Sequence, residues 1–326
     1  MTTALQVWTE KYRPQRLAEI VNQSHVVERL KAWVKEGSVP NMLFAGPAGV
    51  GKTTTALCLA RELFGPHWKE NFQETNASDQ RGIDVVRGRI KNFAMTRPIG
   101  SDFKIIFLDE SDSLTPEAQQ ALRRTMEKYS DVCRFILSCN YSSRIIEPIQ
   151  SRCSVFRFRR LVKEDVEKYV SAVAAKEKLK VPQDALAAIY EVSEGDLRKA
   201  TNILQACSTL KKIDREGVYE IVAQVKPEDA GQMVDLALKG DFKGARKKLY
   251  DMIISQGLSG DDVVKAVHAR IFELQISDRK RLTLLEMLGE YEFRLNQGSS
   301  PEIQLEAMLA KFMLLGSDSD DSKRKA

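Results

Sequence analysis

Residues 46–53 read GPAGVGKT, a glycine-rich stretch that ends in a lysine and a hydroxyl side chain. An apolar run precedes it and a helical pattern follows it, a context that a chance match in a turn would lack. The glycines let backbone N–H groups point at phosphate oxygens, and the following helix adds its positive dipole end. Lys52 can reach the β- and γ-phosphates, and the Thr53 hydroxyl can ligate Mg²⁺. The predicted ATP-binding residues are Gly46, Pro47, Ala48, Gly49, Val50, Gly51, Lys52, Thr53 and Thr54.

An acidic pair ends a second apolar run, where residues 104–110 read KIIFLDE. Asp109 is placed to hold Mg²⁺ through water, and Glu110 to orient and deprotonate a water for attack on the γ-phosphate. Alone, an apolar run that ends in Asp-Glu is usually a strand that meets solvent. Combined with the glycine-rich loop, the pair predicts hydrolysis of the bound triphosphate and not binding alone.

Short apolar runs alternate with helical patterns over about residues 20–160, which predicts an α/β domain with a mostly parallel sheet. The predicted strands are residues 41–45, 72–75, 104–108, 134–139 and 154–158, and the predicted helices are residues 53–64, 84–95 and 116–129. Thr115 is predicted to cap the last of these helices, since Pro116 and Glu117 suit a first turn.

The pattern changes after Leu161, where helical segments recur and no convincing strand follows up to Gly316. The segments are interrupted at Val181-Pro182, Glu194-Gly195, Lys226-Pro227, Gly240, Gly257 and Gly298. We predict a nucleotide-binding core over residues 1–161, helical modules over 162–226 and 227–316, and a disordered tail over 317–326. The helix-core candidates of the last module are Leu282, Leu285, Leu288, Tyr291, Phe293 and Leu295.

Composition and charge exclude several classes of protein. The chain has 326 residues, 43% of them apolar, which is enough for about two domains, or three small ones. Its net charge of +5 permits a polyanionic partner without demanding one. The five cysteines lack CxxC spacing, which argues against a structural zinc site and indicates reduced cytosolic thiols. No apolar run approaches the roughly 20 residues of a membrane span, and no signal peptide is recognisable.

Seven short motifs occur in an order that resembles the small subunits of replication factor C, the archaeal and eukaryotic sliding-clamp loader of the AAA+ class. They are WTEKYRP at residues 8–14, GPAGVGKT at 46–53, NASDQRG at 76–82, DESD at 109–112, SCN at 138–140, SRC at 151–153 and GDLR at 195–198. The resemblance extends up to Gly316, and it implies that the helical modules are a lid and an oligomerisation collar. One departure is Ser111, where the family most often has alanine. Because serine is small and does not ligate phosphate, we expect no functional change.

The resemblance implies catalytic roles that spacing alone leaves open. Asn140 resembles a sensor that positions the attacking water, although by itself it would be a turn asparagine. Arg198 resembles a second sensor that reaches the γ-phosphate from the lid, although by itself it would be a solvated helix arginine. Arg152 resembles an arginine finger that completes the site of the neighbouring subunit, with a surface ion pair as the alternative.

The resemblance also implies a base contact near the N-terminus. Tyr12, Arg13 and Pro14 resemble the segment that packs on adenine, for which an apolar or aromatic surface is suitable. For Trp8 and Tyr12, an N-terminal arm packed on the core is the alternative, and the sequence does not separate the two.

A basic cluster around one predicted helix consists of Arg81, Arg87, Arg89 and Lys91, with Arg87 and Lys91 on one face. Such a run is usually a solvated face. The resemblance implies instead that this helix lines a channel and follows duplex phosphates without reading base sequence. The apolar residues that follow, Phe93, Met95 and Ile99, are either core or the implied contact with the clamp.

The implied activity is ATP hydrolysis, with Mg²⁺, that loads a ring-shaped clamp onto primer–template DNA. The implied partners are the replication factor C large subunit, further small subunits, the sliding clamp and primer–template DNA, in the archaeal cytosol or the eukaryotic nucleus and without a membrane. The alternatives are a related ring motor, such as a Holliday-junction helicase or a protein unfoldase, and a non-hydrolysing scaffold. The absence of an obvious aromatic pore loop between residues 79 and 100 argues against an unfoldase. The intact residues that argue against a scaffold are Lys52, Asp109, Glu110 and Arg152.

Overall fold

A computed structural model describes residues 7–78, 86–222 and 227–321. The chain divides into two compact units, Met1–Thr209 and Leu210–Ala326. This division lies before the predicted boundary at residues 226–227, so the helix Arg215–Val222 falls in the second unit. The three-domain boundaries therefore stay a prediction.

Five parallel strands form the sheet of the first unit. They are β1 (Met42–Ala45), β2 (Phe72–Asn76), β3 (Lys104–Asp109), β4 (Cys133–Cys139) and β5 (Ser154–Arg157), in the order β2-β3-β4-β1-β5. All five predicted strands are present, and the predicted α/β class is confirmed. Because the strands are parallel, the ends of β3, β4 and β1 meet at one edge, which is where ligands bind in open α/β sheets.

The helices of the first unit lie before, between and after the strands. They are α1 (Trp8–Lys11), α2 (Ser24–Glu36), α3 (Lys52–Phe64), α4 (Trp68–Asn71), α5 (Lys91–Met95), α6 (Pro116–Lys128), α7 (Glu147–Gln150), α8 (Lys163–Lys176), α9 (Gln183–Ser193) and α10 (Leu197–Cys207). A π-helical turn, Val86–Ile90, leads into α5. The Thr115 side chain accepts a hydrogen bond from the Ala118 N–H at 3.2 Å, which confirms the predicted cap of α6.

Both faces of the sheet are buried. Successive strand residues point to opposite faces, so on β1 Phe44 and Leu43 belong to two different apolar clusters. Phe44 shares its cluster with Leu59 of α3, and Leu43 shares its cluster with Leu122 of α6. This double burial is the reason that the strands read as continuous apolar runs.

All regular elements in the described part of the second unit are helices. Its helices are α11 (Arg215–Val222), α12 (Pro227–Leu238), α13 (Phe242–Tyr250), α14 (Gly260–Ile271), α15 (Asp278–Asn296) and α16 (Pro301–Asp321), with a π-helical turn, Asp251–Ser255, after α13. Gly240 and Gly257 have φ of +88° and +67°, which allows the chain to leave a helix where the sequence predicts a break. No strand occurs in residues 162–222 or 227–321, as predicted.

Two expectations about the second unit are wrong. Helix α16 continues through Asp321, so residues 317–321 are helical and not a disordered tail; residues 322–326 lie outside the described range. Each added helical residue gains a backbone hydrogen bond, so a helix can extend beyond its apolar part. On α15, Leu288 and Tyr291 are buried, whereas Leu282 and Phe293 are 67% and 65% exposed. The helical period explains this, because residues 11 apart share a face and here that face points away from the core.

No helix in the described ranges is both long enough and apolar enough to cross a membrane.

Candidate functional site

The glycine-rich stretch at residues 46–53, here called the phosphate loop, holds Lys52 in a buried position at the start of α3. Its ammonium donates to the carbonyls of Gly46 and Pro47 at 2.6 and 2.8 Å and to the Asn140 Oδ1 at 3.0 Å. Burial lowers the pKa of Lys52, and the Asp109 carboxylate partly offsets this effect. The contacts at the ammonium are neutral acceptors, so a phosphate oxygen would replace a carbonyl with an opposite charge.

The acidic pair stands beside this loop. The Thr53 hydroxyl donates to the Asp109 Oδ2 at 2.8 Å, which joins the end of β3 to the start of α3. Glu110 lies in the same cleft, is exposed and has φ of +51°. A non-glycine residue in this conformation costs about 1 kcal/mol or more, and such strain clusters at active sites. The buried Ser111 hydroxyl donates to the Leu108 carbonyl at 2.8 Å, so it is engaged by backbone.

Asn140 follows β4, the strand between β3 and β1. Its side chain contacts Lys52, and its backbone N–H donates to the Asp112 Oδ2 at 3.2 Å, as does the N–H of Tyr141. Asp112 therefore holds the loop that carries Asn140 in place. Sequence reasoning assigned Asp112 no role, although its position in the DESD motif was a signal.

The turn between α9 and α10 contacts the phosphate loop directly. The Leu197 N–H donates to the Gly49 carbonyl at 3.1 Å. The Asp196 side chain caps α10 by accepting from the Lys199 N–H at 2.9 Å, and it occupies the space that a Cβ on Gly49 would need. Gly49 also has φ of +68°, so glycine is required there on two grounds.

Arg198, at the start of α10, lines the same cleft as Lys52 and is exposed. Its positive charge makes a small contribution to lowering the pKa of Lys52, after the larger contribution of burial. No hydrogen bond or ion pair of the Arg198 side chain occurs within the described ranges. Two cations that share a cleft in this way repel each other unless a polyanion lies between them.

The remaining walls of the cleft include residues that sequence reasoning missed. They are Thr9, Ile20, Val21, Ser138, Cys139, Tyr169, Leu197 and Thr201. Thr9, Ser138, Cys139 and Leu197 lie within the quoted motifs WTEKYRP, SCN and GDLR, which were the available signal. The other four residues lie outside every quoted motif. The predicted Arg13 and Pro14 do line the cleft. The apolar members suit the flat face of a nucleotide base.

Tyr12 differs from its predicted place. It is not among the cleft-lining residues of the described chain, and its hydroxyl donates to the Glu177 Oε1 at 2.6 Å. Lys11 donates to the same oxygen at 2.6 Å. The acceptor of the Tyr12 hydroxyl thus lies on the helical segment after the sheet and not on the predicted core. The packing of Tyr12 on adenine stays a prediction.

Arg152 follows α7 and does not line the cleft of its own chain. One guanidinium nitrogen donates to the Pro148 carbonyl at 2.6 Å, and the other pairs with the Glu127 carboxylate at 2.8 Å. The side chain is 40% exposed, so it is available at the surface. Its role in a neighbouring site stays a prediction.

The predicted DNA and clamp residues are only partly described. Arg81 lies outside the described residues, and the side chain of Arg87 does too; Arg89 and Lys91 are exposed. Met95 and Ile99 are 61% and 50% exposed, which leaves them available to a partner. Phe93 is half-buried: its carbonyl accepts from the Lys104 ammonium at 2.6 Å, and its ring centroid lies 3.9 Å from that ammonium.

All five cysteines are free thiols. Burial raises the pKa of Cys58, Cys133, Cys139 and Cys153 to about 12, and that of Cys207 to about 11. Even Cys139, at the cleft, is therefore held as a neutral thiol and not as a nucleophile.

Three families match successive parts of the chain. Residues 42–161 match the "ATPase family associated with various cellular activities (AAA)" and residues 169–209 match the "RCF1/5-like, AAA+ ATPase lid domain". Residues 225–311 match the "Replication factor C C-terminal domain". The parallel sheet, the phosphate loop and the lid define an AAA+ ATPase.

Curated relatives narrow this class. The replication factor C small subunit of Methanococcus vannielii is 50% identical over 310 residues, which cover 94% of this chain and 98% of the relative. That of Archaeoglobus fulgidus is 50% identical over 307 residues, covering 94% and 96%. That of Picrophilus torridus is 48% identical over 315 residues, covering 96% and 99%. The chain belongs to the replication factor C small-subunit family.

A solved structure from Thermotoga maritima, the RuvB Holliday junction branch migration motor, has a similar fold. The TM-score is 0.55 at 18% identity, over 75% of this chain and 88% of that chain. A variant of the same motor gives a TM-score of 0.55 at 19% identity, and the match covers 82% of this chain and 94% of the variant's chain. At this identity the similarity concerns the fold alone.

Proposed function

We propose that the chain is a clamp-loader subunit that binds ATP at a subunit interface and hydrolyses it to place a ring-shaped clamp on primer–template DNA. The carrying observation is that Lys52, Asp109, Asn140 and Arg198 meet in one cleft while Arg152 lies outside it. An arginine that lies at the surface, outside the cleft of its own chain, suits completion of a neighbour's site. The family membership supports the same function.

In the proposed reaction, Lys52 exchanges its loop carbonyls for β- and γ-phosphate oxygens. Glu110 accepts a proton from the attacking water, and Asn140 positions that water while its Oδ1 orients the ammonium. Arg198 from the same chain and Arg152 of the partner subunit stabilise the negative charge that develops on the γ-phosphate.

Thr53 and Asp109 are the residues that would hold Mg²⁺. Their oxygens lie 2.8 Å apart, and hydroxyl and carboxylate oxygens are the ligands that this hard cation prefers. Mg²⁺ usually keeps several waters, so two protein ligands suffice. When bound, the ion would neutralise charge on the β- and γ-phosphate oxygens.

Nucleotide state is proposed to act on the rest of the complex through the lid. The lid contacts the phosphate loop through Leu197 and Asp196 and presents Arg198 to the cleft. A triphosphate that binds this arrangement better than a diphosphate does shifts the population toward it. That differential affinity is the free energy available for gripping and releasing a clamp.

The proposed partners are the large subunit, further small subunits, the clamp and primer–template DNA, in the compartment that holds the replicating chromosome. Met95 and Ile99 are the candidate clamp contacts, because both are exposed apolar residues in the segment for which the resemblance implies that contact.

The decisive test measures the ATPase rate with and without clamp and primed DNA, for the chain alone and together with a large subunit. We expect clamp and primed DNA to raise the rate several-fold in the complex. The Lys52→Ala variant is the control for contaminating activity. A rate that responds to neither ligand contradicts clamp loading but leaves the ATPase intact. Branch migration without any clamp would favour the related ring motor.

The basic cluster makes a separate prediction about DNA binding. Neutralising Arg87 is expected to weaken DNA binding equally for all sequences and to lower the salt slope of log K by about one. The exposed Arg89 and Lys91 should behave alike, because phosphate contacts carry no base information. Binding is measured at several salt concentrations, with Lys180→Ala, an exposed lysine of the lid, as the control. An unchanged slope would support a solvated face.

A further inference from the structure

The N-terminal arm, residues 7–14, is attached to the lid by hydrogen bonds that span more than 160 residues of sequence. Lys11 and Tyr12 both donate to one carboxylate oxygen of Glu177, each at 2.6 Å. The Trp8 N–H donates to the Gln205 Oε1 at 2.9 Å. Trp8 and Tyr12 also pack edge to face, with ring centroids 6.4 Å apart. The arm is therefore held by two side chains of the lid and not by the sheet domain alone.

The position of Glu177 is an unusual one for a carboxylate. It directly follows α8, where the negative end of the helix dipole disfavours a second negative charge. Its side chain is only 19% exposed, and the hydrogen bonds from Lys11 and Tyr12 lower its pKa. The arm thus supplies two donors that compensate the charge of this carboxylate. An ordinary surface ion pair joins one flexible cationic side chain to one carboxylate and contributes little to stability. Glu177 instead accepts from two neighbouring residues, Lys11 and Tyr12, and so fixes a short segment of backbone.

The arm leads directly into the cleft. Thr9, Arg13 and Pro14 line it, together with Ile20 and Tyr169, and none of these residues belongs to the phosphate loop. Because Tyr12 and Arg13 are consecutive, the anchor at Glu177 limits where Arg13 and Pro14 can lie. The lid thereby controls the wall of the cleft that is left for the base once the triphosphate occupies the loop.

We propose that Glu177 is a positioning residue for the nucleotide base: by anchoring Lys11 and Tyr12 it holds Arg13 and Pro14 as a preformed wall of the cleft. This inference rests on the proposed binding of ATP in the cleft. If the wall is already ordered before binding, less conformational entropy is lost when the base binds than if the arm were free. The contribution of Glu177 is therefore confined to the base, because the phosphates are held by other residues.

The test compares two ligands, Mg·ATP and inorganic tripolyphosphate with Mg²⁺, by calorimetric titration of the full chain. Glu177→Ala is expected to raise the Kd for ATP about tenfold and to leave the Kd for tripolyphosphate unchanged. Glu177→Gln, which retains an acceptor oxygen, is expected to recover part of the loss. Glu164→Ala, at an exposed glutamate in the first turn of α8, is the control and should change neither Kd. If Glu177→Ala does not fold, Tyr12→Phe removes one of the two hydrogen bonds and should raise the Kd for ATP alone by a smaller factor.

Equal weakening of both ligands, or of neither, by Glu177→Ala or Tyr12→Phe overturns the proposed role of Glu177. Lys52→Ala separates this failure from failure of the site itself, since it should weaken both ligands. If Lys52→Ala changes neither Kd, the cleft is not the triphosphate site, whatever Glu177 does.

Discussion

The Arg152→Ala variant is expected to hydrolyse ATP about 10³-fold more slowly than the unchanged protein, because an arginine finger contributes 10³ or more to the rate of phosphoryl transfer. ATP binding should change little, since Arg152 lies outside the cleft of its own chain. Stability should also change little, because the exposed pair with Glu127 is worth about 0–1 kcal/mol.

Mixing experiments show whether Arg152 acts on a neighbour. Arg152→Ala protein retains an intact phosphate loop, and Lys52→Ala protein retains an intact arginine. A mixed oligomer contains interfaces at which both are present, so activity should return although each variant alone is inactive. Arg124→Ala, an exposed arginine of α6, is the matched control and should keep normal activity. If no mixing ratio restores hydrolysis, completion of the site in trans is wrong.

The Glu110→Gln variant is expected to bind ATP normally and to hydrolyse it about 10²–10⁴-fold more slowly, which is the range for loss of a general base. Glutamine matches the shape of glutamate, so the strained backbone at φ +51° and the Asp109–Thr53 contact should persist. Single-turnover hydrolysis and equilibrium ATP binding measure the two effects separately.

A parallel loss of binding and hydrolysis would mean that Glu110 supports the site structurally. In that case the water would need another base. Glu36→Gln, an exposed glutamate at the end of α2, is the control for a general effect of lost surface charge.

The phosphate loop, the acidic pair and the five strands could be predicted because each depends on consecutive residues. GPAGVGKT curls through its glycines, a run such as KIIFL is buried on both faces, and Thr115 caps the helix that it precedes. The order of the strands then places Asp109 and Asn140 beside Lys52, as parallel topology requires.

The contacts between distant residues could not be predicted in the same way. The Tyr12 hydroxyl donates to Glu177 and does not line the cleft, and Arg152 forms an ion pair with Glu127. Leu282 is exposed on a helix on which Leu284 and Leu288 are buried. Each of these residues has a side chain that suits more than one neighbour. Its actual partner depends on how helices far apart in sequence pack.

By itself, the sequence determined the chemistry of this protein: a loop for a triphosphate, a strand that ends in carboxylates, and the motifs of its family. Only the tertiary structure decided which residues line the cleft, which glutamate holds the N-terminal arm and which arginine stays outside the cleft. The physical reason is that backbone geometry and residue type act over a few neighbouring positions. Packing instead selects among many side-chain pairings of similar free energy, and it does so across the whole domain.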